Sequence, residues 1–97
     1  MSFIEHAYLE LKAIDPSITA TEFSTNWLNK CSSYYQTNKS RKHDMTLHAL
    51  MCFLINLSKK ADALRMNNNN ALLHQKADQY QALRKVASEQ VTLRISN

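Results

Sequence analysis

The sequence predicts an all-α fold, a compact bundle of four to five helices that ends in a long C-terminal helix. The 97 residues contain no glycine and a single proline, so hairpin turns lack the residue they most often need. Capping-box spacing, a serine or threonine three residues before a glutamate, occurs at Ser2–Glu5 and again at Thr19–Glu22. Apolar residues recur at helical spacing along most of the chain. Together these features indicate helices and exclude a β-rich fold.

The first half of the chain divides into three short predicted helices. Helix 1 covers about residues 3–13, because the Asp-Pro pair that follows it disfavours helical backbone. Helix 2 follows the second capping signature and has Phe23 and Trp27 on one face. Helix 3 is expected over residues 30–38, with Asn29 as its N-cap. We expect Trp27 to be buried against Phe23, against Tyr34 of helix 3, and against helix 4.

The second half predicts two longer helices. Residues 39–44 contain no apolar side chain and indicate a loop. Helix 4 begins after Thr46 and has a broad apolar face, consistent with a central position in the core. Asparagine favours caps and turns, so the run at 67–70 predicts a break. Helix 5 then covers about residues 71–94.

The long last helix raises the question of what covers its apolar seam. Residues 1–66 are predicted as a helix-turn-helix bundle and residues 67–97 as a helix for packing or dimerisation. A helix of about 24 residues is roughly 36 Å long, more than a small bundle covers. We therefore predict a homodimer through this helix; the alternative is that it folds back over helices 1 and 4. The seam consists of Leu73, Ala77, Tyr80, Ala87 and Val91.

Several classes of function are not expected from this composition. Phosphate-binding loops of the GxGxxG or P-loop type require glycine, which is absent. The histidines and the cysteines, Cys31 and Cys52, fit no metal-ligand spacing. The apolar run at 49–55 is too short to cross a bilayer, and the first residues do not have the pattern of a signal peptide. We expect a cytoplasmic protein that is not an enzyme, without membrane contact, metal or small-molecule cofactor.

The segment at 23–36 resembles the helix-turn-helix of lambda-repressor-like (Xre-like) DNA-binding domains. Phe23, Ser24 and Trp27 occupy the apolar, small and apolar positions of the first helix in that family. A serine-rich recognition segment follows, and the resemblance extends over about residues 3–57. The family's turn carries glycine and then an apolar residue, whereas Leu28 and Asn29 stand at these places here. The resemblance implies a dimeric transcription regulator that binds duplex DNA.

Charge supports the same interpretation. The formal net charge is +4, and no aspartate or glutamate occurs between Phe23 and His43. Basic side chains in such a stretch are expected to contact phosphates, while Gln36 offers a donor and an acceptor to adenine. The alternative is a protein-interaction module or a small phage-type inhibitor that does not bind DNA. The predicted DNA-binding residues are Lys30, Ser32, Ser33, Gln36, Lys39, Arg41 and Lys42.

Overall fold

The chain folds into five α-helices in the computed structural model, which describes residues 2–66 and 70–96. The helices are α1 (Phe3–Ile14), α2 (Ala20–Glu22), α3 (Tyr34–Ser40), α4 (Leu47–Met66) and α5 (Ala71–Ser96). A π-helical turn over Phe23–Trp27, the π turn, continues α2 without interruption. There is no strand among the described residues, and the all-α class with a long C-terminal helix is confirmed.

Helices α4 and α5 form the long axis of the molecule. At 26 residues, α5 is about 39 Å long, which accounts for most of the 44 Å maximum extent. The predicted break at 67–69 lies outside the described residues. The Asn70 side chain accepts hydrogen bonds from the backbone N–H groups of Leu72 and Leu73 at 2.9 and 3.4 Å. Asn70 therefore caps α5 and fixes where this helix begins.

The apolar seam of α5 packs within the chain. Ala77, Tyr80 and Ala87 are buried, and α5 contacts mainly α4 and, over a smaller area, α1. The Tyr80 ring stacks on Trp27 at a centroid distance of 5.7 Å. Helices of the same chain thus cover the seam for which the periodicity predicts a second chain, in the fold-back arrangement given above as the alternative. The homodimer itself stays a prediction, but it needs a different surface.

The N-terminus of α1 is capped by Asp44, a residue 41 positions from Phe3 in the sequence. The predicted capping box at Ser2 is wrong, because the Ser2 side chain makes no capping hydrogen bond. Instead, the Asp44 carboxylate accepts hydrogen bonds from the backbone N–H groups of Phe3 and Ile4 at 3.0 and 2.8 Å. The Arg94 guanidinium lies 3.5 Å from the same carboxylate. Asp44 therefore ties the loop before α4 to the start of α1 and the end of α5.

Helix α3 begins four residues later than predicted. Asn29 does not cap it; its backbone is left-handed, with φ of 55°, and it closes the π turn. Because the start is displaced, Tyr35 is the buried tyrosine, whereas the Tyr34 hydroxyl reaches the backbone N–H of Thr46. Trp27 is half-buried rather than fully buried, and it contacts Phe53 and the stacked ring on α5. The prediction that it packs on Tyr34 is not what the structure shows.

A buried serine joins the π turn to α3. Ser24 is fully buried, and its hydroxyl donates to the backbone oxygen of Ala20 at 2.9 Å. The oxygen of the Ser24 hydroxyl in turn accepts the backbone N–H of Tyr35 at 3.0 Å. That N–H belongs to the first turn of α3, where no intrahelical acceptor exists. Ser24 thus holds α3 against the π turn, at the position where the resembling family has a small residue.

Replacing Ser24 by alanine should therefore lower the free energy of unfolding by about 1–3 kcal/mol, because a buried N–H would lose its acceptor. Thr25 is the matched control, since its exposed hydroxyl bonds only its own helix and its neighbour. Urea denaturation of both alanine variants compares the two sites. Equal, small losses for Ser24→Ala and Thr25→Ala would contradict the assigned role of Ser24.

Candidate nucleic-acid interface

The acid-free stretch forms one continuous exposed segment of the surface. From Cys31 to His43 the only buried residue is Tyr35, and Tyr34 and Asn38 are half-buried. All other side chains of this segment face solvent. The hydroxyls, the amide and three of the four cations predicted for DNA contact, Lys39, Arg41 and Lys42, therefore lie on an accessible part of the molecule, together with His43.

The corrected start of α3 distributes the predicted residues over three places. Ser32 and Ser33 lie in the turn before the helix, and Lys30 lies before them and is half-buried. Gln36 and Lys39 lie on α3 itself, three residues apart and so on one face; Lys39 had been placed in the loop. Arg41 and Lys42 follow directly after α3. The structure thus groups the α3 residues with the pair at its C-terminal end, and Lys30 lies apart from them.

The C-terminal end of α3 is a Schellman motif with lysine at the position that usually holds glycine. The His43 N–H bonds the oxygen of Asn38 at 2.8 Å, and the Lys42 N–H bonds that of Lys39 at 3.2 Å. Lys42 has φ of 57°, in the left-handed region that favours glycine. Because lysine has a β-carbon, this left-handed conformation has a steric cost that glycine would not have. The lysine places a cation at an exposed turn.

Lys30 belongs to a small polar cluster between the turn and α4. Its Nζ lies 3.1 Å from Nδ1 of His48 and 5.9 Å from the centre of the Tyr34 ring. The Thr46 hydroxyl accepts the backbone N–H of Ala49 and so caps the first turn of α4. These contacts hold the Lys30 ammonium at the side of α3, next to the start of α4, where it extends the basic surface.

A further cation joins the surface from α1. The Nζ atom of Lys39 lies 6.0 Å from the centre of the Tyr35 ring, and the Nζ atom of Lys12 lies 5.6 Å from the centre of the Tyr8 ring. The two rings contact each other at a centroid distance of 4.6 Å. Lys12 was missed by the sequence analysis because no local pattern connects it with α3. The two ammonium groups thus each lie against one ring of the tyrosine pair that joins α1 to α3.

Cys31 is an exposed thiol within the same segment. The Ser33 hydroxyl lies 3.6 Å from its Sγ, and this hydrogen bond lowers the pKa of the Cys31 thiol. Backbone N–H groups of Ser33 and Tyr34, at the start of α3, lower the pKa of this thiol further. Among the described residues, no group of three His, Cys, Asp or Glu side chains could hold a metal ion. What this surface offers is charge and hydrogen bonding.

The turn between the π turn and α3 differs from that of the resembling family. Six residues, 28–33, separate the two elements, whereas three or four are usual in a helix-turn-helix. Leu28 is fully buried and supplies the apolar side chain of the turn, as expected. Asn29 has the left-handed backbone conformation for which the resembling family uses glycine. Its Oδ1 accepts a hydrogen bond from Nδ2 of Asn56 at 3.2 Å. The turn is therefore anchored to α4 by a side chain.

No helix within residues 2–66 and 70–96 is long and apolar enough to cross a membrane. Comparison with known proteins gave no match among curated proteins and none among solved structures. The model of one family matches residues 4–96, and that family is described as a family of unknown function, DUF6626. Because the match covers nearly the whole chain, this protein belongs to the DUF6626 family.

Proposed function

We propose that this protein binds duplex DNA through α3 and the basic residues on either side of it, as a small transcription regulator. The observation that carries the proposal is the exposed, acid-free segment at 31–43, which presents a short helix next to a cationic turn. Phosphate binding requires such a surface, since a carboxylate within it would repel the backbone of DNA. The acid that follows the segment in sequence, Asp44, accepts hydrogen bonds from the N-terminus of α1 and lies 3.5 Å from the Arg94 guanidinium.

The position of each side chain within residues 31–43 determines the role that we assign to it. Arg41 and Lys42 lie at the exposed C-terminal end of α3 and are assigned to phosphates, which fix orientation but carry no sequence information. Gln36 lies on the exposed face of α3, five residues before Arg41, and is assigned to a base edge. Ser32 and Ser33 lie before α3, and their hydroxyls are assigned as hydrogen-bond donors to the phosphate backbone of the DNA.

Salt dependence of duplex binding tests the proposal directly. Fluorescence anisotropy with a labelled duplex should give an affinity that falls steeply between about 50 and 200 mM salt. If Lys30, Lys39, Arg41 and Lys42 each neutralise one phosphate, the slope of log K against log salt is about −3.6. An affinity that does not change with salt, or no binding at low salt, would overturn the proposal.

Substitutions of Lys42 can separate the effect of its charge on DNA binding from the effect of its left-handed backbone on stability. Lys42→Gly should raise the free energy of unfolding by about 0.5–1 kcal/mol, because glycine adopts the left-handed conformation without steric cost. The same change should weaken DNA binding and reduce the salt slope by about 1. Lys42→Ala is the matched control: it removes the same charge but keeps the β-carbon, so affinity should fall equally without a gain in stability. A glycine variant with unchanged affinity would exclude Lys42 from the interface.

A protein-interaction module is the second candidate, and an apolar stripe on α4 favours it. Leu47, Met51 and Ile55 are all about half exposed and follow each other at four-residue steps. Contiguous exposed apolar side chains of this kind are typical of protein-interaction sites. Salt-independent affinity for DNA together with binding of an unrelated protein through this stripe would favour this candidate over the first.

A further inference from the structure

A cavity of about 410 Å³ lies between the π turn and α4. Its volume is within the range of sites that bind small molecules. Asn26 and Trp27 of the π turn form part of its lining, and π-helical turns are rare structures that occur frequently at functional sites. None of the residues predicted to contact DNA lines this cavity. Its chemistry therefore has to be derived from its own side chains.

The charges in this cavity are divided between two groups of helices. Asp15, at the end of α1, and Glu22, in α2, supply two carboxylates, whereas α4 supplies the ammonium groups of Lys59 and Lys60. No ion pair joins any two of these four side chains, all of which lie in the described part of the chain. The cavity thus has a negative side on α1 and α2 and a positive side on α4.

Both carboxylates are held in position by neighbouring residues through one oxygen. Oδ1 of Asp15 accepts the Ser17 hydroxyl at 2.6 Å, which lowers the pKa of this carboxyl and keeps it ionised. Oε1 of Glu22 accepts the backbone N–H and the hydroxyl of Thr19, each at 3.1 Å. In both carboxylates the second oxygen accepts no hydrogen bond from the described residues. One oxygen of each acid therefore remains for a cationic group of a ligand.

The remaining lining provides an apolar wall and one neutral acceptor. Trp27 is half-buried, and its ring stacks on Tyr80; Ile18 lies beside it in the lining. Nδ2 of Asn56 donates to the backbone oxygen of Trp27 at 2.9 Å and to Oδ1 of Asn29 at 3.2 Å. Oδ1 of Asn56 has no donor among the described residues, and it is not a buried atom, so it is accessible to a ligand.

We propose that this cavity binds a free α-amino acid with an aliphatic side chain. The carboxylate of the amino acid lies against Lys59 and Lys60, and its ammonium group lies against Asp15 and Glu22. Its side chain packs on the apolar wall at Trp27. A ligand with only one of the two charges leaves the opposite side of the cavity without a partner, so both charges are required.

A ligand in this cavity also has a connection to α3, and this step rests on the proposed function. Asn56 lines the cavity, and the same side chain anchors the turn before α3 through Trp27 and Asn29. An ammonium group that donates to Oδ1 of Asn56 keeps its Nδ2 directed at the turn. The bound amino acid should therefore raise the affinity for duplex DNA by about 5–150-fold, the usual range for coupling between two sites.

Isothermal titration calorimetry on the full chain tests the site without DNA, so its result is independent of the proposed function. The probes are L-leucine, L-isoleucine and L-valine, at least one of which should bind. For that amino acid, the methyl ester keeps only the positive charge and the N-acetyl derivative keeps only the negative charge. Each derivative should bind at least about 10-fold more weakly. If none of the three amino acids binds, or if either derivative binds equally well, the proposal is wrong.

Substitutions on the two sides of the cavity give the second measurement. Lys59→Gln and Glu22→Gln each remove one charge, and glutamine at position 22 retains the capping box. Each variant should bind the amino acid at least about 10-fold more weakly. Lys85→Gln is the matched control, because Lys85 is exposed on α5 and does not line the cavity. Circular dichroism melts establish that the variants are folded, and equal affinity in all three would refute the site.

Fluorescence anisotropy with a labelled duplex, with and without the amino acid, tests the connection to α3. The parent should bind DNA more tightly when the amino acid is present, and Glu22→Gln should lose this gain but bind DNA as the parent does in its absence. An amino acid that binds the parent without changing its affinity for DNA would overturn the coupling. A parent that binds the amino acid but no duplex would overturn the proposed function and leave the site established by calorimetry.

Discussion

Replacing Phe23 by alanine is expected to lower the free energy of unfolding by about 3–5 kcal/mol, the range for a large buried aromatic residue. Phe23 is fully buried, and its ring contacts Tyr8, Tyr35 and Phe53 at centroid distances of 5.3, 5.5 and 5.8 Å. These three rings come from α1, α3 and α4. Truncation therefore leaves a cavity where three helices meet the π turn, and few neighbours can move to fill it.

Urea denaturation followed by circular dichroism measures this loss. Leu9→Ala is the control, because Leu9 is on the exposed side of α1 and should change stability by less than about 0.5 kcal/mol. The total free energy of unfolding of a small domain is only about 5–15 kcal/mol, so Phe23→Ala can unfold the protein. Phe23→Leu is therefore a milder second variant, with an expected stability between those of the parent and of Phe23→Ala. A Phe23→Ala protein within about 1 kcal/mol of the parent would show that the ring is not at the centre of the core.

Helical spacing and composition predicted most of the architecture because they are local properties. The absence of glycine, the capping signature at Thr19 and the apolar face of α4 each act within one or two helical turns, and the corresponding helices are confirmed. The cap of α1 could not be predicted in the same way. Asp44 is 41 residues from Phe3 in sequence, and a motif at Ser2 that satisfied the local rule made no capping bond.

The start of α3 was misplaced for a related reason. Asn29 has the composition of an N-cap, but its amide side chain bonds Asn56 on α4 and its backbone turns left-handed to close the π turn. The real support for the first turn of α3 is Ser24, eleven residues before Tyr35. The exposed basic segment was nevertheless predictable, because it depends on contiguous sequence. Lys12 was not, since only the packing of α1 on α3 brings it close.

The seam of α5 shows what periodicity alone can establish. Regular spacing at Ala77, Tyr80 and Ala87 predicted correctly that this side of the helix is covered. It carries no information on whether the covering helix belongs to the same chain or to another. In the structure α4 covers it, since α4 and α5 are close in sequence and pack along most of their length. An interface between chains has to be sought on surfaces that remain exposed, such as the apolar stripe of Leu47, Met51 and Ile55 on α4.

Reversal of three charges at the end of α3 should have the largest effect on DNA binding. In the variant Lys39→Glu, Arg41→Glu, Lys42→Glu, three phosphate contacts are lost and three carboxylates are placed against the DNA backbone. The expected loss is at least about 100-fold for every duplex sequence, and the salt slope should become shallower by about 2.7. The three side chains are exposed, so the variant should remain folded, which a thermal melt monitors.

The matched control reverses three exposed lysines elsewhere, with Lys60→Glu, Lys76→Glu and Lys85→Glu. Both variants carry a net charge of −2, since six charge units are removed from +4. Long-range attraction to DNA therefore falls equally in both, and only the local contacts differ. We expect the control to keep a far larger share of the affinity. If the two variants lose affinity equally, the effect is one of net charge, and the end of α3 does not contact DNA.

Gln36→Ala in the parent protein completes the test, because a side chain that contacts a base should change the ranking of duplex sequences rather than the overall affinity. Selection from a random duplex pool, with the parent and the variant in parallel, measures that ranking. We expect one position of the preferred site to lose its discrimination, at about 1–3 kcal/mol, while the salt slope stays unchanged because glutamine is neutral. A uniform loss on all sequences would assign Gln36 to positioning, and an unchanged ranking at full affinity would place it outside the interface.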